Sequence, residues 1–151
     1  MSELPVLDGP RYGPAGGGVP TQLIILLHGV GADGRDLIEM APHLGQVFPN
    51  AAFVAPNAPN RFEQGLSGYQ WISSGIRVEA EVGSAIKVSA DILNAFIDQE
   101  LQSAGLGSET LALVGVSQGT MMSLYVAPRR AQPRPPSREA STTAAPLSLM
   151  L

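Results

Sequence analysis

Apolar residues in this chain fall into two kinds of run, and the two kinds alternate. Residues 23–27, Leu23-Ile24-Ile25-Leu26-Leu27, are apolar without interruption. A short run without polar alternation fits a strand of a parallel sheet covered on both faces. Residues 51–55 and 111–114 read the same way. Between them the spacing changes to three and four. Leu37, Met40, Ala41, Leu44, Val47 and Phe48 share one helical face, with Pro42 predicting a kink or a restart and Gly45 and Pro49 weakening the end. Val82, Ile86, Leu93, Phe96, Ile97 and Leu101 form a longer stripe over residues 82–104. Glu79 and Glu81 suit its positive amino end and Gly105 its stop. Met121, Met122, Leu124, Tyr125 and Val126 continue into a third helix, which Pro128 is expected to end. The Gly- and Pro-rich residues 1–20 read as an irregular lead-in with one short edge strand around Val6 and Leu7. Residues 57–78 read as a long irregular loop, and loops of that length usually serve function.

The order strand–helix–strand–helix–strand–helix predicts an α/β fold with a parallel sheet, right-handed crossovers and helices on both faces. In such sheets a site lies beyond the carboxyl ends of the strands. Two loops reach that edge. One is His28-Gly29-Val30-Gly31-Ala32-Asp33-Gly34; the other is Gly115-Val116-Ser117-Gln118-Gly119. The second is a G-x-S-x-G pattern between a strand and a helix, the setting of a nucleophile elbow. There a serine sits on a sharp turn in a strained conformation, and glycines two before and two after leave room for it. Ser117 is then the candidate nucleophile. The N–H of Gln118, opening the helix, points where an oxyanion would form. A glycine-rich structural turn is the bland alternative.

Composition narrows the classes. With 151 residues the chain is long enough for one domain with a core. Absence of cysteine excludes disulfides and thiolate metal sites, and with two histidines no metal site is expected. A net charge of −4 argues against nucleic acid as partner. The amino terminus carries no signal-peptide pattern, and residues 23–27 are too short to span a bilayer, so a cytoplasmic protein is expected. Charge is unevenly spread. Residues 128–151 hold four arginines, one acid and five prolines, about +3, which leaves about −7 for residues 1–127. That shift marks a domain boundary.

Gly29-Val30-Gly31-Ala32-Asp33-Gly34 also spells G-x-G-x-x-G after a strand, so a dinucleotide-binding domain using Gly29, Gly31 and Gly34 competes. Against it, the next strand ends in Pro56-Asn57 rather than in an acid, and the periodic face starts only at Leu37. The other reading is an oxyanion loop, with His28-Gly29 as the HG pair and the N–H of Val30 as second donor.

Four motifs in order then carry a resemblance: residues 28–37, His28 to Leu37; Ala55-Pro56-Asn57-Ala58-Pro59; Gly68-Tyr69-Gln70-Trp71; and Gly115-Val116-Ser117-Gln118-Gly119. Together, over roughly residues 6–127, they resemble the phospholipase/carboxylesterase family of α/β-hydrolases, which includes acyl-protein thioesterases. The resemblance implies the amino-terminal part of a three-layer α/β-hydrolase fold. It implies Ser117 as nucleophile, the amides of Val30 and Gln118 as oxyanion hole, and His28, Gly29, Gly115 and Gly119 as motif support. It also implies an acyl pocket shaped by Leu66, Tyr69 and Trp71. The substrate would be a small-molecule carboxylic ester or thioester, including acyl-chain substrates, with no cofactor. His28 is expected to buttress the loop rather than act as base, His43 to lie on the surface, and Met121 and Met122 to be helix core.

The chain departs from that family after Ser117. The triad in this fold follows the order serine, acid, histidine. Here the only later acid is Glu139, and no histidine follows. Residues 1–127 are therefore read as a partial hydrolase domain. Residues 128–151 are read as a disordered Pro/Arg/Ser/Ala-rich tail, explained best by a reading frame lost near residue 128. A weakly active or inactive, marginally stable chain is expected, with the elbow strand left as an exposed edge open to self-association. A non-catalytic binding module that keeps the pocket is the rival from another class.

Overall fold

The uninterrupted run of residues 23–27 becomes the centre of the sheet, because each of its side chains finds an apolar layer. The computed structural model describes residues 3–130 and the backbone of residues 147–150. Strand β2 (Gln22–Leu27) has parallel neighbours on both sides, β3 (Ala51–Val54) and β6 (Leu111–Gly115). Beyond β3 lies the antiparallel β1 (Arg11–Tyr12), and beyond β6 lies β7 (Leu147–Met150), so the sheet runs β1-β3-β2-β6-β7.

Alternate residues of each strand face opposite layers. Leu23, Ile25 and Leu27 join Leu111 and Leu113 beneath α3 (Glu79–Ala104) and α4 (Gln118–Arg130), against Leu93, Phe96, Ile97, Met122 and Val126. Ile24, Leu26, Phe53 and Val114 face the other way. They pack beneath α1 (Gly34–Ile38) and α2 (Ala41–Val47), against Leu37 and Ala41. Helices on both faces of a mostly parallel sheet give the three-layer α/β architecture read from the alternation.

Several elements differ from the sequence reading. The edge strand forms at Arg11–Tyr12, not around Val6 and Leu7: Val6 is 80% exposed, while Leu7 reaches the core without pairing. Arg11 fixes that edge by a two-pronged ion pair with the buried Glu100 of α3. The first helix starts at Gly34, ahead of Leu37, because Asp33 accepts from the Asp36 amide at 3.0 Å and Asp36 accepts from the Asp33 amide at 3.3 Å. This reciprocal cap leaves no trace in apolar periodicity. It ends at Ile38, and α2 restarts with Pro42 in its first turn, where a missing N–H costs nothing. The segment of residues 57–78 holds a short hairpin, β4 (Asn60–Arg61) against β5 (Tyr69–Gln70).

Helix α4 runs past Pro128 to Arg130. The last turn survives the proline because its arginines are tied down. Arg129 donates to the Tyr125 carbonyl at 3.0 Å and stacks on that ring at 3.7 Å. Arg130 reaches Asn94 at 2.9 Å and Asp98 at 2.7 Å on α3. Of the remaining segment expected as a disordered tail, residues 131–146 and 151 lie outside the described residues. Leu147–Met150 pairs in parallel with β6, from Ala112↔Leu147 to Gly115↔Met150. The expectation that β6 lacks an outer neighbour is thus corrected. A four-residue strand is invisible when averaged into a Pro/Arg/Ser-rich stretch. Among the described residues, no helix is long and apolar enough to cross a membrane.

Candidate active site

The turn between β6 and α4 is built under steric constraint. Ser117 has φ of 53°, the one positive φ outside glycine among the described residues. A non-glycine residue in that region costs on the order of 1–3 kcal/mol and persists only where its surroundings impose it. The imposition is visible. The Val116 amide donates to the Leu27 carbonyl at 3.0 Å, and the Thr120 amide to the Ser117 carbonyl at 2.9 Å. The Thr120 hydroxyl closes the turn on the Gly115 carbonyl at 2.7 Å. A Cβ at Gly115 would overlap the Gly119 carbonyl oxygen. One at Gly119 would overlap the Leu27 carbonyl oxygen and stand 2.8 Å from that of His28. The two glycines let the turn close and let α4 approach β2. Ser117 itself is exposed at the carboxyl edge of the sheet.

The loop after β2 meets this turn. The Cβ of Ser117 lies 3.1 Å from where a Gly29 side chain would begin. Gly29 is buried and Val30 is 39% exposed beside it. His28 is fully buried and holds the loop from within. Its Nε2 accepts from the Ala58 amide at 2.9 Å, which leaves the proton on Nδ1, 2.7 Å from the Gly29 carbonyl. Burial pushes the His28 pKa below its ordinary value, against a smaller upward pull from the Gly29 carbonyl, Asp33 and Asp36. Both ring nitrogens are engaged, so His28 braces the loop and has no free lone pair to take a proton from Ser117. His43 stands exposed on α2. Of the two methionines read as core, Met122 is buried, whereas Met121 is 40% exposed.

Residues 69–72 seat against the same loop. The Gly31 amide donates to the Tyr69 carbonyl at 2.8 Å, and the Tyr69 amide to the Ala32 carbonyl at 2.9 Å. Trp71, 1% exposed, donates its indole N–H to the His28 carbonyl at 2.9 Å. Tyr69 is half-buried with its ring centroid 6.4 Å from that of His28. Trp71 also lines a cleft of about 530 Å³ between the β4–β5 hairpin and the start of α3, with Arg61, Gln70, Ile76 and Val88. Leu66 is fully exposed and does not line that cleft.

Two side-chain roles escape motif reading. The Gln118 side chain bonds the backbone of Trp71 and Ile72. Asn57 accepts from the Gly34 amide at 2.8 Å through its side-chain oxygen. The second bears on the dinucleotide alternative. Since α1 opens at Gly34, the objection from a late helix start falls. In its place, the amides of that helix start are taken by Asn57 and by the Asp33 carboxylate, which would repel a phosphate. No group of three or more His, Cys, Asp or Glu side chains among the described residues could hold a metal ion.

Known proteins resemble this chain in sequence and in fold. The chain is 34% identical over 113 residues to acyl-protein thioesterase 1 of Schizosaccharomyces pombe, covering 70% of this chain and 48% of that protein. Among solved structures, esterase PE8 matches with a TM-score of 0.74 at 37% identity, over 81% of this chain and 57% of that one. A carboxylesterase from Mesorhizobium loti has the same fold at a TM-score of 0.61 and 20% identity, over 80% of this chain and 53% of that one. The chain thus spans about half the length of the curated relative it matches. The sequence model described as phospholipase/carboxylesterase matches residues 15–135, and with the fold and the elbow already described the chain belongs to that family of α/β-hydrolases.

Proposed function

We propose that this chain carries the nucleophile and the oxyanion cradle of a serine hydrolase acting on carboxylic esters or thioesters of small or acyl-chain substrates. One observation carries the reading: Ser117 is held at positive φ on a turn that only glycines at 115 and 119 allow, facing the buried Gly29. In the reaction, the Ser117 hydroxyl oxygen attacks the substrate carbonyl carbon. The N–H groups of Val30 and Gln118 hold the oxygen that becomes negative. The alcohol or thiol leaves with a proton, and water then releases the acid from the acyl-serine. The Gln118 amide suits this role because the first N–H groups of a helix lack intrahelical partners.

The base is the weak point. Both histidines of the sequence precede Ser117; His28 has both nitrogens engaged and His43 lies exposed on α2. Without an imidazole the serine hydroxyl keeps a high pKa, and what remains is the oxyanion cradle, about 10³–10⁴-fold over water in hydrolases stripped of their triad. The chain by itself is therefore weakly active or inactive. The same observation favours, as second reading, a module that binds acyl compounds without turning them over.

The test is covalent labelling with a fluorophosphonate at alkaline pH, read by peptide mapping. A single adduct on Ser117, absent from Ser117→Ala, is expected. An adduct on a different serine, or none after prolonged exposure, removes the nucleophile reading.

A further inference from the structure

An oxyanion hole needs only a backbone N–H from position 118, which nineteen of the twenty residue types supply. The side chain at that position nevertheless has work that few types can do. Gln118 Oε1 accepts from the Trp71 amide at 2.9 Å and from the Ile72 amide at 3.3 Å, while Nε2 donates to the Ile72 carbonyl at 3.0 Å. Two acceptances and one donation, at that reach from a helix start, require a primary amide on a two-carbon stem.

The segment it grips is itself attached to the other half of the cradle. Two residues before Trp71, the Tyr69 carbonyl accepts from the Gly31 amide and the Tyr69 amide donates to the Ala32 carbonyl. From Trp71 the indole N–H reaches the His28 carbonyl, and its own carbonyl accepts from the Ser89 hydroxyl of α3. Residues 69–72 therefore lie as a strap with one edge bonded to residues 28–32 and the other to the first residue of α4. Val30 sits inside the bonded stretch on one side; the Gln118 amide belongs to the residue that grips the strap on the other.

We propose that Gln118 is a positioning residue: its side chain, through the strap of residues 69–72, sets the distance between the Val30 and Gln118 amides. The proposal rests on the oxyanion reading above. It gives residue 118 two separable functions, a backbone donor that every variant retains and a side-chain clamp that variants remove. The strap then acts as a further tie, beyond the β2–β6 ladder and the Val116 to Leu27 bond, between the two loops that carry these amides.

The test needs no turnover, so it is independent of Ser117 reactivity. Amide hydrogen exchange is followed by NMR in the full chain and in Gln118→Met, Gln118→Ala and Gln118→Glu. Met fills the same space without hydrogen bonds. Glu retains the acceptor and loses the donor. The single tryptophan gives one indole N–H resonance, an assigned reporter of the bond to His28. In Gln118→Met, exchange at Gly31, Tyr69 and the Trp71 indole rises on the order of tenfold, the net worth of about one hydrogen bond. Amides of the β2–β6 ladder stay as in the parent, Gln118→Ala matches Gln118→Met, and Gln118→Glu falls between them and the parent. If Gly31, Tyr69 and the indole keep parental protection in Gln118→Met, the coupling does not exist. If ladder and strap lose protection together in all three variants, Gln118 has only a general structural role and the proposal is overturned.

Discussion

Gly29 and Ser117 face each other so closely that a Cβ on the first would stand 3.1 Å from the Cβ of the second and 3.8 Å from its hydroxyl oxygen. The two residues are far apart in sequence and belong to different strand ends. Their contact is what turns two separate loops into one site. It also makes Gly29 a steric gate on Ser117.

Widening that contact is expected to block the serine before it unfolds the chain. Gly29→Val puts methyl groups over the Ser117 hydroxyl, and fluorophosphonate labelling of Ser117 should fall at least tenfold. Gly29→Ala needs a shift of only a few tenths of an ångström and should cost no more than about 1–2 kcal/mol in urea unfolding. Parental labelling in Gly29→Val would show that the approach to Ser117 is from elsewhere.

Gly119 and Gly83 separate space from composition. A Cβ at Gly119 collides with backbone, the Leu27 carbonyl above all, whereas one at Gly83 in α3 meets nothing within 4 Å. Gly119→Ala should therefore destabilise by about 3 kcal/mol or more, and Gly83→Ala should stabilise by about 0.5–1 kcal/mol. Urea midpoints of the two variants, moving in opposite directions, are the check.

His28 gives the chain a pH dependence of definite sign. It is buried and neutral in the fold, with its pKa lowered by desolvation. Unfolded, it takes a proton as pH falls below about 6.5. The unfolded state then binds more protons than the folded one, so stability is full above about pH 6.5 and declines as pH falls from there toward the lowered folded value. Protonation would also take the Nε2 lone pair from the Ala58 amide. Urea unfolding between about pH 8 and pH 5 should show this slope, and His28→Gln, though less stable, should lose the part due to imidazole.

An ion pair ties the edge strand, already paired with β3, to α3. Glu100 is 8% exposed, and its carboxylate is bonded by both terminal nitrogens of Arg11. The hydrogen bond from Glu100 raises the Arg11 pKa further, so the guanidinium keeps its charge. Arg11→Ala strands the carboxylate and should cost about 1–3 kcal/mol, while Arg11→Ala with Glu100→Leu should recover most of that loss. A double-mutant cycle in urea measures the coupling, and additivity of the two single changes would contradict it.

Much of the fold was legible because burial on both faces writes itself into sequence. Residues 23–27 and 111–114 read as buried strands, and the α3 stripe at Leu93, Phe96, Ile97 and Leu101 marked the layer above them. Elements held by polar bonds were misjudged. The Asp33–Asp36 cap set the start of α1, Arg11–Glu100 set the edge strand, and Arg129 and Arg130 carried α4 beyond Pro128. The resemblance implied a pocket role for Leu66, which stands fully exposed on the hairpin loop.

Local chemistry thus determined what each segment would become: apolar runs, glycines two either side of Ser117, and the HG pair are short-range facts that survive without coordinates. Which amide faces which hydroxyl is a long-range fact. The grip of Gln118 on Trp71 and Ile72 spans more than forty positions, and the bond from Ala58 to His28 spans thirty. Such bonds are specified by where the sheet delivers the chain, and no spacing along a sequence encodes that delivery, so only the tertiary structure decided them.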